Sequence, residues 1–268
     1  MKDYTSEFGR LDAQHNGVAE YMGPHITEAP IGSPQRILEV GSGSGAWAIQ
    51  AATQFPKAEV VAIDIVPLPD RPMPANITYQ KVNIVDHIPF DSETFDVVHT
   101  RFVLLHLPHA HAIIPRLIEL VKPGGYLLIE DVDLTGDYSG FGPGMRRCMT
   151  SAFLGYMRSQ GQDPAFGSHI WGCLKKSSAF DKIQMDHAMV PLNPAHDDQS
   201  ALANLGRTMK VGLTGSLTNV PSTAAFAAVH TPEIQQGWMD EVNDSDWEYA
   251  FGFYAVWARK CSRAKSRS

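Results

Sequence analysis

Residues 36–45 run Arg-Ile-Leu-Glu-Val-Gly-Ser-Gly-Ser-Gly, an apolar strand that opens into three alternating glycines. Such a run imposes a tight turn, because glycine takes left-handed backbone without strain and lets other atoms come close. Twenty-three residues after Gly41, the apolar strand Val60-Val61-Ala62-Ile63 ends in Asp64. A carboxylate there is placed to accept hydrogen bonds from a ribose diol. Glu39, just before the turn, puts a negative charge where a pyrophosphate would be repelled. The pattern suits a nucleoside with a cationic amino-acid tail, and S-adenosylmethionine (SAM) is such a ligand.

Apolar strands alternate with helical stretches through the first half. Strands are predicted at 36–40, 59–64, 77–82, 95–100 and 125–130, and helices at 46–54 and 109–121. In the second helix Ile113, Ile114, Leu117, Leu120 and Val121 share a face, while Pro115 either starts the helix or kinks it. This alternation predicts an α/β fold, a doubly wound, mostly parallel sheet with helices on both faces. After Asp133 the character changes. Gly136, Gly140, Gly142 and Gly144 mark a loop. A helix at 145–160, an amphipathic piece at 170–180, a strand at 182–188, a helix at 201–213 and a last strand at 247–258 follow. Seven strands and a helical cap result. Residues 1–135 are expected to hold a lid helix and the cofactor core. Residues 136–258 are expected to form a substrate cap plus the last strands of the same domain. Residues 259–268 read as a disordered basic tail.

At this point the chain resembles the class I SAM-dependent methyltransferases. The resemblance rests on Glu39-Val-Gly-Ser-Gly-Ser-Gly45, Asp64, Phe95-Asp96-Val97-Val98 and Leu120-Val-Lys-Pro-Gly-Gly125. It covers residues 10–135 well. The stretches Gly9-Arg-Leu-Asp-Ala-Gln-His15 and Trp47-Ala-Ile49 are similar to a fungal subset that includes secondary-metabolism methyltransferases and LaeA-like regulators. The resemblance implies a Rossmann-like methyltransferase fold and SAM as cofactor, with S-adenosylhomocysteine (SAH) as product. Glu39 and Gly41, Ser42, Gly43 and Gly45 would border the methionine moiety. Asp64 would hold the ribose, with Ile65 against adenine. Asn83 would face the adenine amino group, where many relatives carry Asp, and Ile84 its ring. Thr100 and Arg101 would line the methionine end through backbone groups. Gln14 and His15 would sit on a helix closing over the cofactor.

NAD is the rival, since Gly41–Ala46 also matches the loose pattern G-x-G-x-x-A. Glu39 argues against it, and no tyrosine has lysine four residues on, as short-chain reductases require. A methyl donor needs no activation, only alignment of the acceptor. A general base is needed when the acceptor is an alcohol. The candidates are His106 and Asp131. The run His106-Leu-Pro-His109-Ala-His111 has no carboxylate beside it in sequence, so no metal site is expected. Met145, Met149, Phe153, Tyr156, Met157 and Trp171 either line a hydrophobic substrate pocket or belong to the core.

The expected reaction is methyl transfer to O, N or S of a small organic acceptor. The alternative is a regulatory, partner-binding protein on the same fold. The net charge is −7, and five of the 22 basic residues crowd into the last ten positions, which hold no acid. The remaining body is therefore strongly acidic and would repel a nucleic-acid backbone. Cys148, Cys173 and Cys261 are odd in number and form no C-x-x-C pair. They suit a reducing compartment, the cytoplasm or also the nucleus. The longest uncharged run, 211–232, is broken by Gly, Ser, Thr and Pro, so no membrane association is expected.

Overall fold

A computed structural model describes residues 4–136, 142, 144, 153–218, 231–244 and 249–262. Helix α1 (Tyr4–Met22) leads into strand β1 (Arg36–Val40), helix α2 (Ala46–Gln54), β2 (Glu59–Asp64), β3 (Ile77–Lys81) and β4 (Phe95–Arg101). Two 3-10 turns, Leu104–His106 and Ala110–Ala112, precede α3 (Ile114–Leu120) and β5 (Val121–Asp133). Then come α4 (Leu154–Ser159), α5 (Phe166–Ser177), β6 (Phe180–Pro191), α6 (Ala201–Thr218), α7 (Pro232–Asn243) and β7 (Ala250–Lys260).

The seven strands lie in the order β3-β2-β1-β4-β5-β7-β6. All pairs are parallel except those of β7, which runs antiparallel to both neighbours. The order reverses between β1 and β4, and ligands of such sheets bind beyond the strands' carboxyl ends at that switch point. Side chains alternate between the two faces. Leu38, Val40, Val98, Leu127 and Ile129 join the larger core, with Leu117 and Ile170 from the helices that cover that face. Ile37, Val97 and Leu128 join a smaller core with Trp47, Ala48, Ala51 and Ala52 of α2. The short alanine side chains let α2 lie close to the sheet.

Several boundaries differ from the sequence reading. The helix predicted at 109–121 starts at Ile114, and Pro115 stands in its first turn, where a missing N–H breaks no helical bond. Strand β5 is longer at both ends than 125–130, and Asp96 accepts Lys122 Nζ at 3.0 Å near its start. Helix α7 was not foreseen. Thr231-Pro232-Glu233 is a helix-start signal, and the helix buries Trp238. Arg259 and Lys260 are not tail. They extend β7, where Arg259 Nε donates to Asp181 Oδ1 at 2.8 Å and Lys260 Nζ to the carbonyls of Ile118 and Val121. Residues 263–268, Met145 and Met149 lie outside the described residues, as does the first half of the helix predicted at 145–160. Phe153 and Met157 are core, whereas Trp171 is half-buried under Lys175. No helix among the described residues is long and apolar enough to cross a membrane.

The cap reaches back to the N-terminus. Helix α6 packs on α1 at Gly17, where a Cβ would stand 2.7 Å from Thr208 Oγ1. Asn204 Nδ2 donates to Glu20 Oε1 at 2.9 Å, and Gln14 Nε2 to Met209 Sδ at 3.1 Å. At Gly206 a Cβ would meet the Pro191 carbonyl oxygen at 1.8 Å, so α6 rests directly on the end of β6. Helices α1 and α6 thus form a two-helix lid at the carboxyl ends of the strands.

Candidate cofactor crevice

The turn after β1 is left-handed at all three glycines, with φ of 74° at Gly41, 53° at Gly43 and 75° at Gly45. The Gly41 and Ser42 amides donate to the Ile63 carbonyl at 2.8 and 3.0 Å, which ties the turn to the end of β2. Close approach here comes from the protein itself. A Cβ on Gly41 would lie 2.3 Å from Val103 Cγ2, and one on Gly45 would lie 2.8 Å from Leu68 Cδ2. The neighbour of Gly43 is Leu11 of α1.

Asp64 does two jobs at once. Its Oδ2 accepts the Gly43 amide at 2.8 Å and its Oδ1 accepts the Val66 amide at 3.0 Å. A carboxylate has about four lone-pair sites, so acceptor capacity remains. Ile65 beside it is 58% exposed, an apolar surface at the crevice rim. Asn83 is exposed at the end of β3, but its amide is engaged locally: Nδ2 donates to Asp86 Oδ2 and Oδ1 accepts the Val85 amide. Ile84 points into the core, and the adjacent Val85 is the exposed residue, which corrects the assignment of Ile84 to an adenine face.

Glu39 is 4% exposed and its Oε2 has no partner. Burial pushes its pKa up to about 8, against the opposing pull of Arg101 and the Ala48 amide. Ser42 Oγ and Thr100 Oγ1 are also buried and unpartnered. Buried polar groups are normally satisfied, and Thr100 is level with Val40 in the β1–β4 pairing, so these three stand close to the turn with acceptor or donor capacity to spare. Together they suit an ammonium and a hydroxyl-rich ligand. The residues present fit an adenosyl amino acid.

One face of the sheet carries a polar row that sequence alone had not resolved. Arg101 Nε donates in a short contact to Glu130 Oε2, and Arg101 Nη1 donates to His15 Nδ1 at 3.2 Å. Arg101 was expected to act through its backbone. Its side chain ties α1 to β5. Burial raises the Glu130 pKa, but Arg101 outweighs it and holds the carboxyl down to about 2. Burial and Arg101 lower the His15 pKa to about 4, so His15 is a neutral acceptor. Next along the row, the His99 ring stacks on Trp47 at 3.7 Å between centroids. Gln14 faces α6, not the glycine turn.

Asp131 is not placed as a base. It is 1% exposed, its Oδ2 accepts the Leu105 amide at 3.1 Å, and its Oδ1 accepts the Val132 amide at 3.0 Å. It fastens the 3-10 turn that carries His106. Its strand position puts it on the face opposite Glu130, and that face is packed core. His106 is exposed at the end of the first 3-10 turn after β4. Desolvation by nearby protein, with repulsion from Arg10, lowers its pKa to about 4.

Arg71 was not foreseen either. Its Nη1 donates to Asp12 Oδ2 of the lid at 2.7 Å and its Nη2 to the Ser44 carbonyl at 2.7 Å. It clamps α1 to the glycine turn. The only sequence signal was a basic residue within the proline-rich loop 66–74.

The profile of a methyltransferase domain matches residues 15–182. The chain belongs to this methyltransferase family. It is 40% identical to methyltransferase str2 of Strobilurus tenacellus over 95% of its length and 93% of that protein's. Methyltransferase str3 of the same organism is 41% identical, over 95% and 94%. Among solved structures, phosphoethanolamine N-methyltransferase 2 of Haemonchus contortus, in complex with S-adenosylhomocysteine, superposes with a TM-score of 0.55 at 18% identity. That match covers 92% of this chain and 53% of the other, so this methyltransferase spans about half the length of that structure. The shared feature there is the fold. The matched span holds the glycine turn, the Asp64 strand end and the second half of α1.

Proposed function

We propose that this methyltransferase moves a methyl group to O, N or S of a small organic acceptor, a secondary metabolite, held under the lid of α1 and α6. The observation that carries the reading is Glu39, a buried carboxylate with an unpartnered oxygen beside a left-handed glycine turn. Glu39 takes the ammonium of the methionine tail, and Asp64 takes the ribose diol while it holds Gly43. Ile65 covers one face of the adenine. SAM, when bound, supplies a sulfonium methyl carbon that needs no further activation. The protein's task is to orient the acceptor lone pair along the carbon–sulfur bond and exclude water. As the new bond forms and the carbon–sulfur bond breaks, His106, neutral at pH 7, takes the proton of a hydroxyl acceptor. The acidic body and the free thiols of Cys173 and Cys261 support a cytoplasmic enzyme that does not act on nucleic acid.

Incubation with methyl-labelled SAM and a small-molecule extract tests the reading. Label in an extractable metabolite is expected. In Asp64→Ala, loss of a hydrogen bond to a charged group should weaken SAM binding by about 1–3 kcal/mol. Label found only in protein, or no transfer with intact SAM binding, would favour the regulatory alternative.

Ligand-free Glu39 holds its proton at pH 7, because its pKa stands near 8. A cation bound beside it favours the ionised form. SAH binding at pH 7 should therefore release close to one proton, and affinity should rise with pH until about 8 and then level. Calorimetry in buffers of different ionisation enthalpy reads the release, which Glu39→Gln should abolish.

A further inference from the structure

His111 stands on the second 3-10 turn, where no acid neighbours it in sequence. The fold supplies one. Asp163 Oδ2 lies 3.0 Å from His111 Nε2 and 2.7 Å from His169 Nδ1 of α5. The three candidate ligand atoms all lie within 4.8 Å of one another. His111 and His169 border an open cavity of about 690 Å³, whose walls include Ile114, Ile118, Lys176 and Ser177.

We propose that His111 Nε2, His169 Nδ1 and Asp163 Oδ2 bind a divalent late first-row transition metal ion such as zinc. Imidazole and carboxylate donors suit these ions. Zinc takes such donors at about 2.0–2.2 Å, which sets donors on one ion roughly 3.3 Å apart. The two Asp163 separations, 3.0 Å to His111 and 2.7 Å to His169, would open by about 0.3 and about 0.6 Å, and the two imidazole nitrogens lie within 4.8 Å of each other. Both rings are half-exposed, His169 at 53%, and can turn. The carboxylate is oriented by its other oxygen, Oδ1, which accepts the Ala165 amide at 3.0 Å. His111 Nδ1 lies 3.1 Å from Cys173 Sγ. With Nδ1–H directed at that sulfur, Nε2 keeps its lone pair for the metal, the arrangement by which an outer partner fixes a ligand's tautomer.

A bound ion would cross-link two segments that already touch. The His109 amide donates to the Gly161 carbonyl at 2.8 Å, and Gln162 Nε2 donates to the His106 carbonyl at 2.6 Å. The ion would fix the span from His106 to His111 against α5. Its role is structural and does not depend on the methyl-transfer reading.

The test uses the full chain, stripped with a chelator and titrated with Zn²⁺ by calorimetry and with Co²⁺ by visible absorption. One equivalent is expected, with Co²⁺ bands of a site of low coordination number. His169→Ala should lower affinity at least about 100-fold. Zinc at about 100 times its Kd should raise Tm by roughly 5–10 °C in the parent and leave His169→Ala unmoved. His169 is exposed and its loss spares the fold; Asp163→Asn serves as the second variant. No stoichiometric binding in the parent, or equal affinity in His169→Ala and Asp163→Asn, overturns the site.

Discussion

Arg101→Ala is expected to destabilise the folded protein by about 3–5 kcal/mol, because it strands a buried charge. Glu130 is 3% exposed and Arg101 is its close ion partner. Urea unfolding at pH 7 should show a lower midpoint with an unchanged slope. The double variant Arg101→Ala/Glu130→Gln should regain part of the loss, since no charge is left without a partner. The pH dependence separates the two proteins. In the parent the folded Glu130 pKa, about 2, lies below its ordinary value of 4.5. That stabilisation is complete above pH 4.5 and is lost as pH falls through 2. In Arg101→Ala the stranded carboxyl gains by taking up a proton, so stability should rise on going from pH 7 to pH 5. A variant within about 1 kcal/mol of the parent would show that the pair contributes little to stability.

His106→Ala should lower kcat by about 100-fold, the low end for general-base catalysis, with SAM affinity unchanged. The low end applies because a base with a pKa near 4 is weak, although it is unprotonated throughout the neutral range. For the same reason the parent's rate at saturating SAM should not fall on the acid side until pH nears 4. The loss should be confined to acceptors that must shed a tightly held proton. Single-turnover rates, with SAM affinity measured separately, decide the matter. A fully active variant on a hydroxyl acceptor would remove His106 from the reaction.

Much of the crevice was legible in the sequence. The strands 36–40 and 59–64 and the helix 46–54 stand where periodicity put them. Their cues are local: branched apolar runs, a glycine turn and a helix period. The helix before β5 was misplaced, since Pro115 permitted either a start or a kink and only packing chose. Asp131 illustrates another limit. A carboxylate at a strand end reads alike whether it meets a substrate or two backbone amides. The amide of Leu105 lies 26 residues away in sequence, and no local rule ties it to Asp131. Ile84 and Val85 show the same limit at a finer scale, for one step along the chain exchanges core for surface.

Sequence alone determined the turn, the two carboxylates that flank it, and the alternation of strands and helices, because backbone preference and burial period act over a few residues. Tertiary structure alone decided which long side chains meet. Arg101 finds Glu130 at a separation of 29 residues and His15 at 86, and His111 finds Asp163 at 52. Those pairs depend on strand register and lid docking, which are settled by the summed packing of the whole domain and not by the residues that the packing brings together.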